Sequence, residues 1–199
     1  CNMGDVKVEI EEYTAFPTMV YKFSPNLSAD MHSEMSAYIR ARNKLQTEDN
    51  IQIMSIFHPL AETVQHTMVN ILNKLEYQYQ KIEITSMWGN VLKSGDPHPP
   101  HTHSNNLWSG VYYISAGEDA SPICFFDPRP SANYLQPKNN PNWNNSSMLK
   151  FPAHVGTGLI FPSWLMHWVP PTPSERMSVS WNILLRGDYG MGQFQNASI

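Results

Sequence analysis

A change of hydrophobic rhythm near residue 82 constrains the fold more than any other feature of the chain. From there to about residue 186, short apolar runs alternate with turn residues, and no long helical pattern appears. The runs are IEITSMWGNV, LWSGVYYI, PICFFD, GLIFP, MHWV and MSVSWNILLR. Short strands punctuated by glycine and proline are typical of an all-β sandwich or barrel.

The chain before residue 82 has the pattern of one strand followed by two helices. The segment from Ala15 to Phe23, AFPTMVYKF, is typical of a strand. A first helix is expected to begin after the capping candidate Ser28 and to run to about Lys44. A second helix is predicted from Pro59 onward, because apolar residues recur there at three- and four-residue spacing. They are Leu60, Val64, Met68, Ile71, Leu72, Leu75 and Tyr79.

Helices followed only by strands predict a mainly β fold, a jelly roll with the N-terminal helices packed on one outer face. At 199 residues the chain is expected to form a single domain, 1–199. We place its N-terminal strand and helices at about 15–80 and its jelly-roll core at about 82–187.

Charge and composition argue against several classes of protein. With 13 Lys+Arg against 17 Asp+Glu the net charge is −4, and without a basic cluster no nucleic-acid partner is expected. The longest apolar stretch, GLIFPSWLMHWVPP, is interrupted by prolines and too short to span a bilayer, so no membrane association is expected. Two cysteines and no secretory signal pattern favour a cytoplasmic location.

Three histidines lie within eight residues in DPHPPHTH, from Asp96 to His103. His101 and His103 flank one residue, so on an extended segment their side chains share a face. Neutral imidazole is a common ligand for iron, zinc, copper and nickel, and the neighbouring prolines reduce the entropy lost when the ligands are ordered. The spacing alone is equally compatible with a metal site and with an exposed His/Pro loop.

A second stretch, FPSWLMHWVPPTPSERMSVSWN, predicts a β-hairpin with its turn at 170–175. In that hairpin Val169 pairs with Arg176 and His167 pairs with Ser178. Strand alternation then places His167, Arg176, Ser178, Ser180 and Asn182 on one face. The opposite face, which would meet the helices, carries Met177, Val179, Trp181 and Ile183.

The polar face of this hairpin is expected to line a pocket. Burial of Arg176 without an anion would cost several kcal/mol, so the pattern predicts a metal at one end of the pocket and a carboxylate at the other. The alternative is an edge hairpin whose polar face meets water.

Together these residues resemble the 2-oxoglutarate- and iron(II)-dependent oxygenases. The resemblance rests on HTH, SGVYYI, FFDPRP, GLIFPSWLMHWVPP and RMSVSWN, with FPTMVYKF at the N-terminus, and spans roughly residues 16–182. It is nearest to a bacterial and phage branch related to prolyl hydroxylases. The most specific part is the distal histidine followed nine residues later by Arg-x-Ser, whereas His-x-His alone is a weak signal.

The resemblance implies a double-stranded β-helix, which is a form of jelly roll, and a role for each matching residue. His101 takes the first position of the family's metal motif and His167 the distal position, with Fe(II) as the metal. Arg176 matches the residue that binds the far carboxylate of 2-oxoglutarate, and Ser178 matches its companion hydroxyl. Two further cosubstrate contacts are implied at Tyr113 and Asn90.

His103 departs from the family pattern, because a carboxylate usually stands at that position. Three interpretations remain: a three-histidine site of His101, His103 and His167, a carboxylate supplied by Asp127, or participation of His98 with His103 behind it. We favour the first, because it preserves the spacing of the motif. A third imidazole removes one negative charge from the site and is expected to weaken iron retention or alter reactivity.

The function implied is a dioxygenase that uses dioxygen and 2-oxoglutarate to hydroxylate a small-molecule or peptidyl substrate, with substrate and oligomeric state left open. Two alternatives differ in class: a three-histidine non-haem dioxygenase that does not use 2-oxoglutarate, and a non-catalytic jelly-roll module that binds metal or a small acid. The Asn- and Pro-rich segment 127–148 is expected to be a loop, with 134–143 either a candidate substrate lid or a disordered surface insertion.

Overall fold

Two antiparallel sheets form the body of the protein in a computed structural model that describes residues 8–42, 44–132 and 134–199. In chain order the elements are β1 (Tyr21–Phe23), α1 (Ala29–Ala41), α2 (His58–Leu75), β2 (Lys81–Leu92), β3 (His98–His101), β4 (Trp108–Ala116), β5 (Ile123–Phe126), β6 (Met148–Phe151), β7 (Gly158–Pro162), β8 (His167–Val169), β9 (Arg176–Arg186), β10 (Asp188–Tyr189) and β11 (Ala197–Ser198). Two short 3-10 helices, Ile51–Ile53 and Ser55–Phe57, precede α2.

The strand order shows how the chain winds through the two layers. The first sheet runs β1-β7-β4-β9-β2, and the second runs β3-β8-β5-β6. Successive strands therefore change layer repeatedly, as in a jelly roll, and the predicted mainly β fold is confirmed. Strands β10 and β11 form a separate two-stranded sheet near the C-terminus.

Both helices pack on the outer face of the first sheet, as predicted. The side chain of Ser28 accepts a hydrogen bond from the Met31 amide at 3.2 Å and caps α1 at its N-terminus. Helix α2 has a proline in its first turn and ends at Glu76, which adopts left-handed geometry. The predicted stripe of α2 is buried at Leu60, Val64, Met68, Ile71 and Leu72, in one cluster with Met177, Val179, Trp181 and Ile183 of β9.

A smaller apolar cluster lies between the two sheets. It contains Val111, Tyr113, Ile123, Phe125, Leu159, Phe161 and Leu165. The inward face of the first sheet is thus apolar along β4 and β7, while the neighbouring β9 contributes polar side chains to the interior.

The predicted hairpin between β8 and β9 is wrong. Strand β8 pairs with β3 and β5, whereas β9 pairs with β2 and β4 in the other sheet. The physical reason is the connection PPTPSE, in which three prolines lack the amide hydrogen that a hairpin ladder needs. The chain crosses between the sheets there, and Thr172 fixes the crossing through backbone hydrogen bonds with Gly95 and Asp96 at 2.8 and 3.2 Å.

Two further boundaries differ from the sequence prediction. The N-terminal strand is only Tyr21–Phe23, because its register with β7 ends at Ile160. The segment predicted as a loop up to Met148 ends in strand β6, which pairs with β5. No helix within the described ranges is long and apolar enough to cross a bilayer.

Candidate metal and carboxylate site

His101, His103 and His167 converge inside the sandwich. His101 ends β3 and pairs in register with His167, the first residue of β8. His103 lies two residues beyond β3, where its amide donates to the Ser163 carbonyl at 2.9 Å. One nitrogen from each ring lies within 4.8 Å of the other two, and this is the only group among the described residues with metal-ligand geometry.

Backbone carbonyls orient two of the three rings. Nδ1 of His101 lies 2.8 Å from the Pro99 carbonyl, and Nδ1 of His167 lies 2.8 Å from the Leu165 carbonyl. Because a carbonyl only accepts, each Nδ1 carries the hydrogen and each neutral ring keeps a lone pair on Nε2. Metal-binding histidines are commonly held by such a second hydrogen bond.

The third ring completes a close pair of nitrogens. Nε2 of His103 lies 3.2 Å from Nε2 of His167. Two imidazole nitrogens about 2.1 Å from one ion would be about 3.0 Å apart at a right angle and about 3.4 Å apart at a tetrahedral angle. The observed separation therefore matches two ligands of one cation.

Burial keeps two of these imidazoles in the form that binds metal. The pKa of His167 is lowered to about 3, mainly by burial, with further lowering by neighbouring histidines. The pKa of His103 is lowered to about 4, again mainly by burial and then by His101 and His98. Neutral imidazole is the ligand form, so at neutral pH no proton has to leave either ring before a metal binds.

Arg176 forms the other end of the same cavity. It is 4% exposed, and its Nη1 donates to the Ser121 carbonyl at 2.9 Å. None of the described carboxylates forms an ion pair with it. The preceding residue, Glu175, pairs with Arg40 at the surface instead. A buried guanidinium without an anion is costly, so this position is suited to receive a carboxylate.

Three candidate cosubstrate contacts lie side by side next to Arg176. Ser178 on β9 is in register with Asn90 on β2 and with Tyr113 on β4. The Tyr113 hydroxyl is buried without a hydrogen-bond partner, and the Arg176 guanidinium lies 5.0 Å from the centre of the Tyr113 ring. Asn90 donates to Ser180 at 3.1 Å, so it is already engaged by the protein.

The cavity that joins the two ends is small. Its volume is about 40 Å³. The lining comprises Trp88, Asn90, Leu92, His98, His101, His103, Gly110, Val111, Ile123, Phe161, His167, Val169, Arg176, Ser178 and Ser180.

The two alternative ligands of the sequence interpretation lie outside the group of three. Asp127 makes an ion pair with Arg129 at 2.7 Å. His98 lines the cavity and stacks on His101, but its nitrogens do not join those of the triad.

The segment proposed as a lid lies away from the cavity. None of its described residues lines the space between the histidines and Arg176. Instead Trp143 contacts Phe151 with ring centres 5.5 Å apart and a tilt of 50° between the rings, and it borders a separate groove beside residues 12–18 of the N-terminal segment.

Several contributions to the site carry no side-chain signal in the sequence. The carbonyls of Pro99, Ser121 and Leu165 orient the functional rings and the guanidinium. The position of a backbone carbonyl depends on where the chain turns and not on a side chain. Only the prolines next to His101 could have indicated one of these three carbonyls.

Comparison with known proteins agrees with this geometry. Residues 86–182, from β2 through most of β9, match the family described as "Putative 2OG-Fe(II) oxygenase". The matched segment contains all seven predicted site residues, and the resemblance to the 2-oxoglutarate/Fe(II) oxygenase superfamily is thereby confirmed. No curated protein matches the chain in sequence.

Solved structures share the fold at low sequence identity. A prolyl-4-hydroxylase from Pseudomonas putida has a TM-score of 0.60 and 15% identity and covers 89% of each chain. The collagen prolyl hydroxylase of Paramecium bursaria Chlorella virus-1, in its 2-oxoglutarate complex, has a TM-score of 0.57 and 14% identity over 82% of this chain and 94% of that one. HygX from Streptomyces hygroscopicus, with nickel and 2-oxoglutarate bound, has a TM-score of 0.58 and 10% identity over 84% of this chain and 83% of that one.

Fe(II) and 2-oxoglutarate are the cofactor and cosubstrate of the matched family, and the donors of this cavity fit both. Three imidazoles whose nitrogens lie within 4.8 Å of one another suit a divalent transition metal. The unpaired Arg176 guanidinium and the unpartnered Tyr113 hydroxyl suit a carboxylate.

Proposed function

We propose that the protein is a 2-oxoglutarate- and iron(II)-dependent dioxygenase that hydroxylates a small-molecule or peptidyl substrate. The observation that carries the proposal is the pairing, in one cavity, of three converging imidazoles with a buried guanidinium that has no anion. A metal site alone would leave Arg176 unexplained, and an acid-binding site alone would leave the convergence of the histidines unexplained.

Each end of the cavity has a distinct task in this proposal. His101, His103 and His167 hold Fe(II), and backbone carbonyls orient the rings of His101 and His167. The Arg176 fork binds the far carboxylate of 2-oxoglutarate, with hydroxyl groups of Ser178 and Tyr113 as neighbours. Asn90 stands at the edge of this group and holds Ser180 in place.

The bound iron supplies the activation of dioxygen, and the balanced reaction converts substrate C–H, dioxygen and 2-oxoglutarate into substrate C–OH, succinate and carbon dioxide. The protein contributes fixed ligands and a dry wall around them. Trp88 lies next to His103 with ring centres 5.8 Å apart, and Phe161 lies 4.8 Å from His167 by the same measure. These apolar rings limit the access of water to the metal side of the cavity.

A peptidyl substrate is supported by the fold shared with two prolyl hydroxylases. The charge of the cavity also bears on reactivity. Three neutral imidazoles leave a divalent ion with one more net positive charge than a site of two histidines and a carboxylate. We therefore expect weaker iron retention than in a carboxylate-containing site.

Thermal unfolding under anaerobic conditions tests the proposal. Fe(II) and 2-oxoglutarate together are expected to raise the Tm above that with Fe(II) alone. Arg176→Ala should abolish the 2-oxoglutarate increment and keep the metal increment. Arg129→Ala, at an exposed arginine, is the matched control and should keep both increments. If the metal-loaded wild type shows no 2-oxoglutarate increment, the proposal is wrong.

The proposed metal ligands require a separate measurement. His101→Ala and His167→Ala should each lose stoichiometric iron, measured after gel filtration. If both variants retain one iron per chain, the triad is not the metal site.

A three-histidine dioxygenase that acts without 2-oxoglutarate is the second candidate, and His103 favours it because imidazole stands where the related enzymes have a carboxylate. Arg176 has no role in that reaction. The discriminating measurement is succinate formation, since 2-oxoglutarate-dependent oxygenases often convert some cosubstrate without a primary substrate. Oxygen consumption without any need for 2-oxoglutarate would favour the second candidate, and a protein that binds metal and acid without any turnover would be a non-catalytic module.

A further inference from the structure

His98 occupies a position in the cavity that the metal triad and the Arg176 clamp leave unassigned. Its ring lines the same 40 Å³ space as both ends of the site. It stacks on His101 with ring centres 4.3 Å apart and an interplanar angle of 26°. A ligand that spans the distance from the histidine triad to Arg176 would therefore lie in a space that His98 helps to line.

The backbone of β3 directs His98 inward by an irregular geometry. In a regular strand, residues three positions apart point to opposite faces. Here the register with β8 shifts between His98 and His101, at Pro99 and Pro100, and both histidines face the cavity. A bulge that re-aims a side chain at the rim of a site is a common functional device.

His98 does not act as a ligand in this arrangement. The nitrogens that converge within 4.8 Å come from the other three histidines. Because the His98 ring is stacked nearly parallel to His101, its nitrogens lie in a plane displaced from that of the His101 ring and its Nε2. His98 is therefore not part of the group of residues that would hold a metal.

The hydrogen-bonding capacity of His98 is also unused. Among the described residues, no side-chain hydrogen bond is made by either nitrogen of the His98 ring. The three triad histidines and the Arg176 guanidinium, in contrast, each have a hydrogen-bond partner. An imidazole always carries at least one N–H donor. His98 and the cationic Arg176 both line this cavity, so an anion bound in it could accept hydrogen bonds from both side chains.

We propose that His98 is a cosubstrate-binding residue that donates a ring N–H to a carboxylate oxygen of 2-oxoglutarate. This inference rests on the function proposed above. It assigns His98 to the dicarboxylate that lies between the histidine triad and Arg176, and it explains why the chain turns this residue inward instead of leaving it on the surface.

The test compares 2-oxoglutarate affinity in variants that separate hydrogen bonding from packing. Ni(II) replaces Fe(II) so that no turnover occurs, and the Kd for 2-oxoglutarate is measured by calorimetry on the nickel-loaded protein. His98→Phe keeps an aromatic ring for stacking and removes the donor, so its Kd should rise about 10-fold or more. His98→Gln restores an N–H donor and should stay within about threefold of wild type. His66→Phe, at an exposed histidine on α2, is the matched control and should bind as wild type does.

Nickel content and turnover provide the independent readouts. All four proteins should hold one nickel per chain, because His98 is not a metal ligand. With Fe(II), the His98→Phe protein should show a raised KM for 2-oxoglutarate at nearly unchanged kcat for succinate formation. If His98→Phe does not fold, His98→Ala takes its place with the same expected result.

Three outcomes would overturn the inference. An unchanged Kd in His98→Phe would show that no bond is made, and an equal loss in the Phe and Gln variants would show that His98 acts through packing. Loss of nickel from His98→Phe would make His98 a metal ligand. A wild-type protein that binds nickel but not 2-oxoglutarate would instead refute the proposed function, and the inference with it.

Discussion

The two faces of strand β9 are built for different purposes. The face toward the helices carries Met177, Val179, Trp181 and Ile183, all with 0% exposure. The face toward the second sheet carries Arg176, Ser178, Ser180 and Asn182, and it lines the cavity or lies close to it. The two sets alternate residue by residue along a single strand, because side chains in a strand point to opposite sides in turn.

The difference shows how stability and binding are separated in this fold. The apolar face gains free energy from burial and close packing, whereas the polar face buries groups that the protein satisfies only in part. The Arg176 side chain has one hydrogen bond to a carbonyl, and the Ser178 hydroxyl makes none with the described residues. We therefore expect substitutions on the helix-facing side to change the free energy of unfolding, and those on the cavity side to change ligand binding.

The largest effect on stability is expected from Trp181→Ala. The Trp181 ring lies against Gly110, where an added Cβ would be 2.3 Å from the ring, and makes an edge contact with Phe23. Its removal should lower the free energy of unfolding by about 3–5 kcal/mol, because a large buried cavity is left. Chemical denaturation measures this, and Ser178→Ala on the opposite face should change it by less than about 0.5 kcal/mol. Similar losses in the two variants would contradict the division between the faces.

A smaller loss of stability is expected on the cavity side, where polar side chains form hydrogen bonds with one another. Ser109 on β4 donates to Oδ1 of Asn182 at 2.7 Å, and its oxygen lies 2.7 Å from the Ser163 hydroxyl. Ser109→Ala would leave both partners buried with one bond fewer, at a cost of about 1–3 kcal/mol in the free energy of unfolding. A loss below about 0.5 kcal/mol would show that this network is not a stabilising part of the cavity side.

Alternation along β9 was predictable from sequence because it depends only on the two-residue period of a strand. The apolar and polar sets were assigned to the correct faces, and His167 and Arg176 were correctly expected in one pocket. The pairing that led to this expectation was nevertheless wrong. Strand partners are set by contacts far apart in sequence, and local pattern does not reveal that β8 and β9 belong to different sheets.

Other parts of the site were beyond sequence reasoning for a related reason. The prolines after Val169 were interpreted as a turn, although their missing amide hydrogens also predict a chain that leaves the sheet. The inward orientation of His98 depends on a register shift in β3, and no residue type marks such a shift by itself. Local propensity predicted the helices well, since the Ser28 cap and the α2 stripe require no distant partner.

The next prediction concerns Arg176 in the absence of any ligand. Arg176→Met replaces a buried cation with an apolar side chain of similar length. Because no described carboxylate compensates that charge, the free energy of unfolding should be unchanged or raised by about 1 kcal/mol. The same variant should lose the stabilisation by 2-oxoglutarate. Destabilisation by more than about 2 kcal/mol would indicate that Arg176 is part of the structural core, and the contrast between the two faces would fail at its most important residue.

The smallest effect is expected in the pH dependence of the helix-facing side, where His32 of α1 meets Tyr112 of β4 with Nε2 and the hydroxyl oxygen 2.6 Å apart. Burial lowers the pKa of His32 from its ordinary value of 6.5. As the pH falls below 6.5, the unfolded chain takes up a proton at His32 before the folded protein does, so stability should decrease. Burial raises the pKa of Tyr112 from 10.0 to about 12, so the unfolded chain loses its proton first and stability should decrease again between these pH values.

Unfolding measured across the pH range tests both slopes. His32→Gln should remove part of the acid slope, and Tyr112→Phe should remove part of the alkaline slope. His66→Gln, on the exposed side of α2, should change neither. If His32→Gln leaves the acid slope as it is, the acid sensitivity arises elsewhere. The buried histidines of the cavity would then be its source, and the helix-facing side would be insensitive to pH on the acid side.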